Sequence, residues 1–212
     1  MLYNYYMFIK SIQPGKKNKD RFNIYSDDGF AFSVYAETAV TEGLKEGMEL
    51  SEARIAEIRE TDERKYALET ALGFLETRMR SEKEIRDRLK RAEISSGSMD
   101  SAVERLKGLG YIDDGQYAMT YAAELSGRYG AGMIRQKLRE RGISGETAEK
   151  AVESVDTDGS MIEWIEKLAF RYRDDDVQKA RQKMIRNLIA KGYRYDDIKG
   201  PVERALKSGQ ED

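Results

Sequence analysis

The sequence predicts a mainly α protein with a small N-terminal β-rich region, its helical part an elongated array of three tandem three-helix repeats. Three observations carry this. Up to about residue 60 the chain alternates short aromatic and β-branched runs with turn residues, and from about residue 61 apolar residues recur at helical spacing. Proline hardly occurs: Pro14 and Pro201 are the only two, and Pro201 falls early enough in the last helix to be tolerated. The third observation is an internal repeat. Ile85, Leu89, Ile94, Met99 and Val103 recur at the same offsets as Ile134, Leu138, Ile143, Ala148 and Val152, and again as Met184, Leu188, Tyr193, Ile198 and Val202. Such a unit buries its faces against its neighbours and leaves a long exposed surface for partners.

Taken in order, Tyr5 to Ile12, Arg21 to Tyr25 and Phe30 to Tyr35 read as about three strands of one small antiparallel sheet, separated by the turn residues Pro14 to Lys19 and Ser26 to Gly29. A short helix over Glu37 to Leu44 follows, and Gly47 breaks it. Ser51 is placed to cap the next helix, with Leu50 stapling against Ile55. Each repeat opens with a first helix, around Ala71 to Arg78, Ala118 to Leu125 and Ile162 to Arg171. Ser81 and Glu84 form a capping box for the first middle helix, and Gly142 and Gly192 fall where the other two must end. Asp113 and Asp114 supply the N-cap and first-turn carboxylates of the second repeat. The expected divisions are a β-rich extension over 1–60 and repeats over 61–110, 111–155 and 156–212.

The chain has 212 residues, no Cys and no His. It therefore holds no disulfide, thiolate nucleophile, imidazole base, Ser-His-Asp triad or Cys/His metal site, and no cofactor or enzymatic activity is expected. The carboxylate groups Asp27-Asp28, Asp113-Asp114, Asp174 to Asp176 and Asp196-Asp197 sit where turns or helix starts are expected, and capping accounts for them better than Mg²⁺ does. No phosphate-loop sequence occurs, and the glycines between Gly127 and Gly132 lack the preceding strand of a dinucleotide fingerprint. Trp164, Ile165 and Leu168 read as core. Tyr111, Tyr117, Tyr121 and Tyr129 read as packing residues, with base stacking as the alternative. No apolar run is long enough to cross a membrane, and no basic then apolar signal follows Met1. With the absence of Cys, this suits a soluble cytoplasmic protein, expected to be a monomer.

Charge is informative by its distribution. The totals nearly cancel, 37 basic against 39 acidic residues. Residues 78–92, however, carry seven basic and three acidic side chains, residues 128–141 five and one, and residues 177–194 six and none. Basic charge is thus concentrated on the middle helix of each repeat. Arg86, Arg88 and Lys90 flank the Ile85-Leu89 seam, and Arg135, Lys137 and Arg139, followed by Arg141, hold the corresponding places in the second repeat. The third repeat departs, with Ile185, Asn187 and Ile189 in those places and its bases at Arg181, Lys183 and Arg186. These ten basic residues are the expected partner-binding positions, on a strip that attracts either phosphate backbones or an acidic protein groove.

Three segments point to a family. Residues 80–89 (RSEKEIRDRL), 106–118 (LKGLGYIDDGQYA) and 135–143 (RQKLRERGI) resemble the RecX family of bacterial regulatory proteins. Gly110 to Asp114 with Tyr117 and Ala118 are quite specific to it. The match is clearest over residues 66–153, with 154–206 similar to the family's divergent last repeat and 1–60 to the extension of its longer members. The resemblance implies tandem three-helix repeats that lie in the groove of the RecA filament on single-stranded DNA and restrain its recombinase, ATPase and coprotease activities, with direct, weak DNA contact possible. Near-neutral total charge argues against indiscriminate DNA coating. Two other readings stand beside it: a helical protein that binds nucleic acid without RecA, and a scaffold recruiting partners through the edge strands of its extension.

Overall fold

A computed structural model describes residues 6–16 and 18–208. Tyr5, at the head of the first expected strand, and Lys17, in the first expected turn, lie outside those residues. Two compact units are present. One runs to Arg78 and includes Arg86–Leu109; the other comprises Met79–Ile85 and the chain from Gly110.

In the first unit the β-rich region has five strands rather than about three. Strands β1 (Tyr6–Phe8), β2 (Ser11–Pro14), β3 (Arg21–Ser26) and β4 (Gly29–Tyr35) precede a short helix α1 (Ala36–Thr41), and β5 (Glu49–Ser51) follows it. The segment expected as one strand is broken at Ile9 and Lys10. Ile9 donates its amide to the Met48 carbonyl and Lys10 to that of Tyr25, so the chain changes sheets there. The two antiparallel sheets are β1-β5 and β2-β3-β4, and the Ser26 to Gly29 turn joins β3 to β4 as expected. Ile9, Ile24, Phe32, Val34, Leu44, Leu50 and Ile58 form their shared core, with Ile55 packed against it.

The Ser51-capped helix and the first helix of the first repeat are one element, α2 (Glu52–Leu75), with Ser51 Oγ accepting from the Arg54 amide. It crosses residues 60–61 unbroken, because neither Gly nor Pro occurs between Glu52 and Leu72. Adjacent carboxylates on it reach in different directions. Asp62, buried, accepts from the Tyr35 amide at 2.6 Å and from Arg21 Nη2 at 2.7 Å, while Arg21 also donates to the Ser33 carbonyl and lies over the Tyr35 ring. Glu63 accepts from the Ser95 amide and hydroxyl and from Ser98 Oγ, at the start of α4 (Ser96–Gly108). One carboxylate therefore holds the sheet and the next holds the repeat.

Between them in sequence lies α3 (Glu82–Arg91). The second repeat is α5 (Asp114–Ser126), α6 (Ala131–Glu140) and α7 (Gly145–Glu153), and the third is α8 (Asp158–Arg171), α9 (Val177–Ala190) and α10 (Tyr195–Ser208). First and third helices pack together in every repeat, as α2 with α4, α5 with α7 and α8 with α10. Every member of the five-position pattern is buried except Met99, which is half-buried. There Ser98 takes the inward place, because its hydroxyl has Glu63 to bond. Asp113 caps α5 and Asp176 caps α9 through their side chains. Pro201 is the seventh residue of α10, deeper than expected, because the helix already starts at Tyr195 with Asp196 and Asp197 in its first turn.

Two outcomes follow from the α2 carboxylates. Asp62→Ala leaves the Arg21 guanidinium and the Tyr35 amide without their acceptor and lowers unfolding stability by about 3 kcal/mol in urea titration; Arg21→Met in the same chain recovers part of that. Burial alone would raise the Glu63 pKa, but the bonds from the Ser95 and Ser98 hydroxyls and the Ser95 amide hold it below the usual carboxylate range. Its contribution is accordingly complete above the unfolded value of about 4.3 and is lost as pH falls through the folded one. Glu63→Gln therefore flattens the acid limb of stability against pH, read as the urea midpoint between about pH 5 and pH 3.

Candidate partner-binding surface

Residues two apart on a helix differ by about 200° in direction, so the ten basic positions do not share one face. Arg86 and Arg135 turn toward the third helix of their own repeat, where Arg86 pairs with Asp100 at 2.6 Å and Arg135 Nε with both oxygens of Glu149 at 2.8 and 2.9 Å. Arg181 does the same with Glu203 at 3.0 Å. Lys137 and Lys183 turn the other way: Lys137 Nζ lies 4.9 Å from the centre of the Tyr129 ring, and Lys183 pairs with Asp175 beside Tyr172. Arg141 bonds Glu84 and lies over Tyr121. Arg88, Lys90, Arg139 and Arg186 alone of the ten are exposed with no side-chain partner among the described residues. Lys90 and Arg139 hold equivalent places, and in the third repeat that place is Ile189, itself about half exposed.

Within the second unit, the start of one middle helix is seated on the end of the next, twice. Ser81, fully buried, completes its capping box with Glu84 and also donates its hydroxyl to the Arg141 carbonyl at 2.7 Å. Lys83 Nζ reaches the Glu140 carbonyl at 3.0 Å. At the second joint the Gly130 amide donates to the Lys191 carbonyl at 2.9 Å, and the Gly132 amide to that of Gly192 at 3.0 Å. The Ser81–Arg141 and Gly130–Lys191 contacts are repeat-equivalent, and Lys83 and Gly132 hold equivalent places although they bond different carbonyls. These bonds satisfy carbonyls a helix end leaves open and bring the positive end of one helix dipole to the negative end of another.

The joints explain the glycines. Gly142 (φ 86°) and Gly192 (φ 90°) are left-handed, and a Cβ on Gly142 would lie 2.6 Å from Lys83 Cβ, while one on Gly192 would fall on the Met133 amide. A Cβ on Gly130 would lie 2.7 Å from the Tyr193 ring, so the glycine-rich loop serves this contact. In the first repeat the matching residue is Glu93, the only non-glycine residue with positive φ among those described, at 58°. Its side chain is exposed.

Cations and rings alternate across the second joint. Lys191 Nζ lies 3.5 Å from the centre of the Trp164 ring and 5.6 Å from that of Tyr129, whose other cation is Lys137; Lys167 is 5.5 Å from Trp164. Burial pushes the Lys191 pKa down. Trp164 is half-buried against the third repeat's core, as expected in part, and of the tyrosines Tyr117 is buried, Tyr121 and Tyr129 half-buried and Tyr111 exposed. No group of side chains suited to a metal ion, and no helix long and apolar enough to cross a membrane, occurs among the described residues. The joints and the ring contacts were not read from the sequence, although signals exist: a base precedes the glycine at each joint, at Arg141-Gly142 and Lys191-Gly192, and an acid follows Arg86 and Arg135 fourteen residues on.

This is a tandem three-helix-repeat protein with basic middle helices and a strand-rich N-terminal region. Comparison with known proteins gives it a family. Residues 7–51 match the regulatory protein RecX N-terminal domain, and 67–106, 113–152 and 160–200 match the first, second and third RecX three-helix domains. Regulatory protein RecX of Bacillus subtilis (strain 168) is 34% identical over 97% of this chain and 80% of its own length, and that of Clostridium botulinum (strain Eklund 17B / Type B) 30% over 93% and 96%. A crystal structure of regulatory protein RecX superposes with a TM-score of 0.70 at 29% identity, covering 95% of this chain and 99% of that one. Another, from Lactobacillus salivarius, gives 0.64 at 26%, covering 69% and 98%. The chain belongs to the RecX family of regulatory proteins.

Gly192→Ala combines a left-handed backbone with a backbone clash and lowers the thermal midpoint by an amount equivalent to about 3 kcal/mol. Glu93→Gly removes a strained side chain that nothing requires and raises stability by about 1 kcal/mol in the same scan.

Proposed function

We propose that this protein binds the RecA filament on single-stranded DNA and restrains its recombinase, ATPase and coprotease activities. Family membership supports the regulatory role, and RecX proteins are not a known enzyme family. One structural observation carries the choice of contact residues: Lys90 and Arg139 are exposed, repeat-equivalent and without a side-chain partner among the described residues. A partner built of identical successive subunits meets equivalent charges on successive repeats, and weak contacts then add through effective concentration. The repeats acting in this way are those over 61–110, 111–155 and 156–212, and the protein works as a cytoplasmic monomer.

The ten basic positions divide accordingly. Arg88, Lys90, Arg139 and Arg186 face the partner. Arg86, Arg135 and Arg181 meet it only through the outer side of their ion pairs, and Lys137, Arg141 and Lys183 serve chiefly within the chain. Bridging neighbouring protomers hinders the motions that turnover requires.

The test is RecA ATPase on single-stranded DNA titrated with this protein. Glutamine at Arg88, Lys90, Arg139 and Arg186 together weakens inhibition by about tenfold and reduces its dependence on salt, whereas glutamine at Arg86 and Arg135 changes it by less than about twofold. Full potency of the fourfold variant at every ionic strength would exclude these residues.

A further inference from the structure

We infer that a groove in the first unit, between α1, α2 and α4, is a binding site for a small sugar phosphate or related polyol phosphate. The phosphate lies at Arg105, and the hydroxyls of the ligand point toward Glu37 and Glu69. The site shares no residue with the four exposed bases assigned to the filament and does not rest on that reading.

The groove, of about 440 Å³, has the size of a small-molecule site. Thr38, only 3% exposed, lines it from α1 together with Thr41, while Thr61 lines it from α2 and Ser101 from α4. None of these four hydroxyls makes a hydrogen bond among the described residues. Hydroxyls on helices commonly bond back to a carbonyl one turn earlier, and a nearly buried one that bonds nothing costs free energy unless a ligand or water supplies its partner. The Thr38 hydroxyl is not sealed off, so it opens into the groove. Arg105 is exposed and has no side-chain partner among the described residues, whereas Arg64 pairs with Glu60 and Lys65 with Glu37. Four free hydroxyl donors and one uncompensated guanidinium suit a phosphate, which accepts several charge-assisted bonds at once. No aromatic ring lines the groove, so a nucleobase finds no face to stack on, and Leu68 and Ala102 are its only apolar side chains. The two ends differ: Glu37 and Glu69 also line an adjoining groove of about 340 Å³, whereas Arg105 and Ser101 line only this one. Carboxylates at one end repel a second phosphate and accept from sugar hydroxyls instead.

The test is isothermal titration of the full chain, at low salt and without RecA, with ribose-5-phosphate, glucose-6-phosphate and glycerol-3-phosphate. At least one should bind one-to-one, about tenfold or more tighter than inorganic phosphate or the unphosphorylated sugar. Arg105→Gln should weaken that binding about tenfold and reduce its dependence on salt. Thr38→Val keeps the shape of the side chain and removes only the hydroxyl. It should weaken binding about fivefold or more without lowering the thermal midpoint of the free chain, because that hydroxyl has no bond in the fold to lose. The second readout separates a ligand contact from a structural role. Binding by none of the three, unchanged affinity in either variant, or inorganic phosphate binding as tightly as the best of them would overturn the proposal. A phosphoserine peptide that binds more tightly than all three would overturn it in favour of a protein partner. Inhibition of RecA without sugar phosphate binding sinks this site and spares the filament reading; binding without inhibition does the reverse.

Discussion

The helical part of the second unit depends on one constraint, that the end of a middle helix must admit a neighbouring segment of the chain closer than a Cβ would allow. At Gly142 and Gly192 the backbone turns left-handed just as a neighbouring segment arrives, and there is no space for even one methyl group. The bonds made across each joint are few. Ser81 to Arg141 and Gly130 to Lys191 are ordinary in length, and their value lies in satisfying carbonyls that a terminated helix would otherwise leave to water. Sequence and register are coupled at these points, because the residue before each glycine is a base that the aromatic ring of the preceding first helix receives, Arg141 by Tyr121 and Lys191 by Trp164.

The two joints solve the same problem with different chemistry. The first uses side chains, with Ser81, Lys83 and the Glu84-Arg141 pair reaching across. The second relies mainly on backbone, with Gly130 and Gly132 allowing two amides to approach directly, and adds one side-chain bond, from Lys191 Nζ to the Arg128 carbonyl at 3.3 Å. The first unit uses a third device, a single long helix whose neighbouring carboxylates Asp62 and Glu63 address two different partners.

Much of the architecture was legible in the sequence because burial repeats. The fixed offsets from Ile85 to Val103 identified the core of every repeat, and glycine and aspartate marked the ends of helices. Where legibility failed, the cause was long-range pairing. Nothing local distinguishes the Ile9-Lys10 step, where the chain leaves β5 for β3, from the middle of a strand, and β5 itself is three residues long. Likewise a helix passes through residue 60 because propensity is uninterrupted there, while a change of texture had marked that position as a boundary. The basic positions were found correctly as a charge pattern but not as a surface, since a pattern of alternate residues counts charges on both flanks of a helix. Only the acids at Asp100 and Glu149, fourteen residues away, reveal which flank is occupied.

Glu93 marks the one middle-helix end among the described residues that carries a side chain on the left-handed backbone. The matching position is glycine wherever a further helix start arrives, at Gly142 and Gly192. Exposed to water, the end of α3 tolerates a side chain that the other two ends have no room for, at the cost of the backbone strain alone.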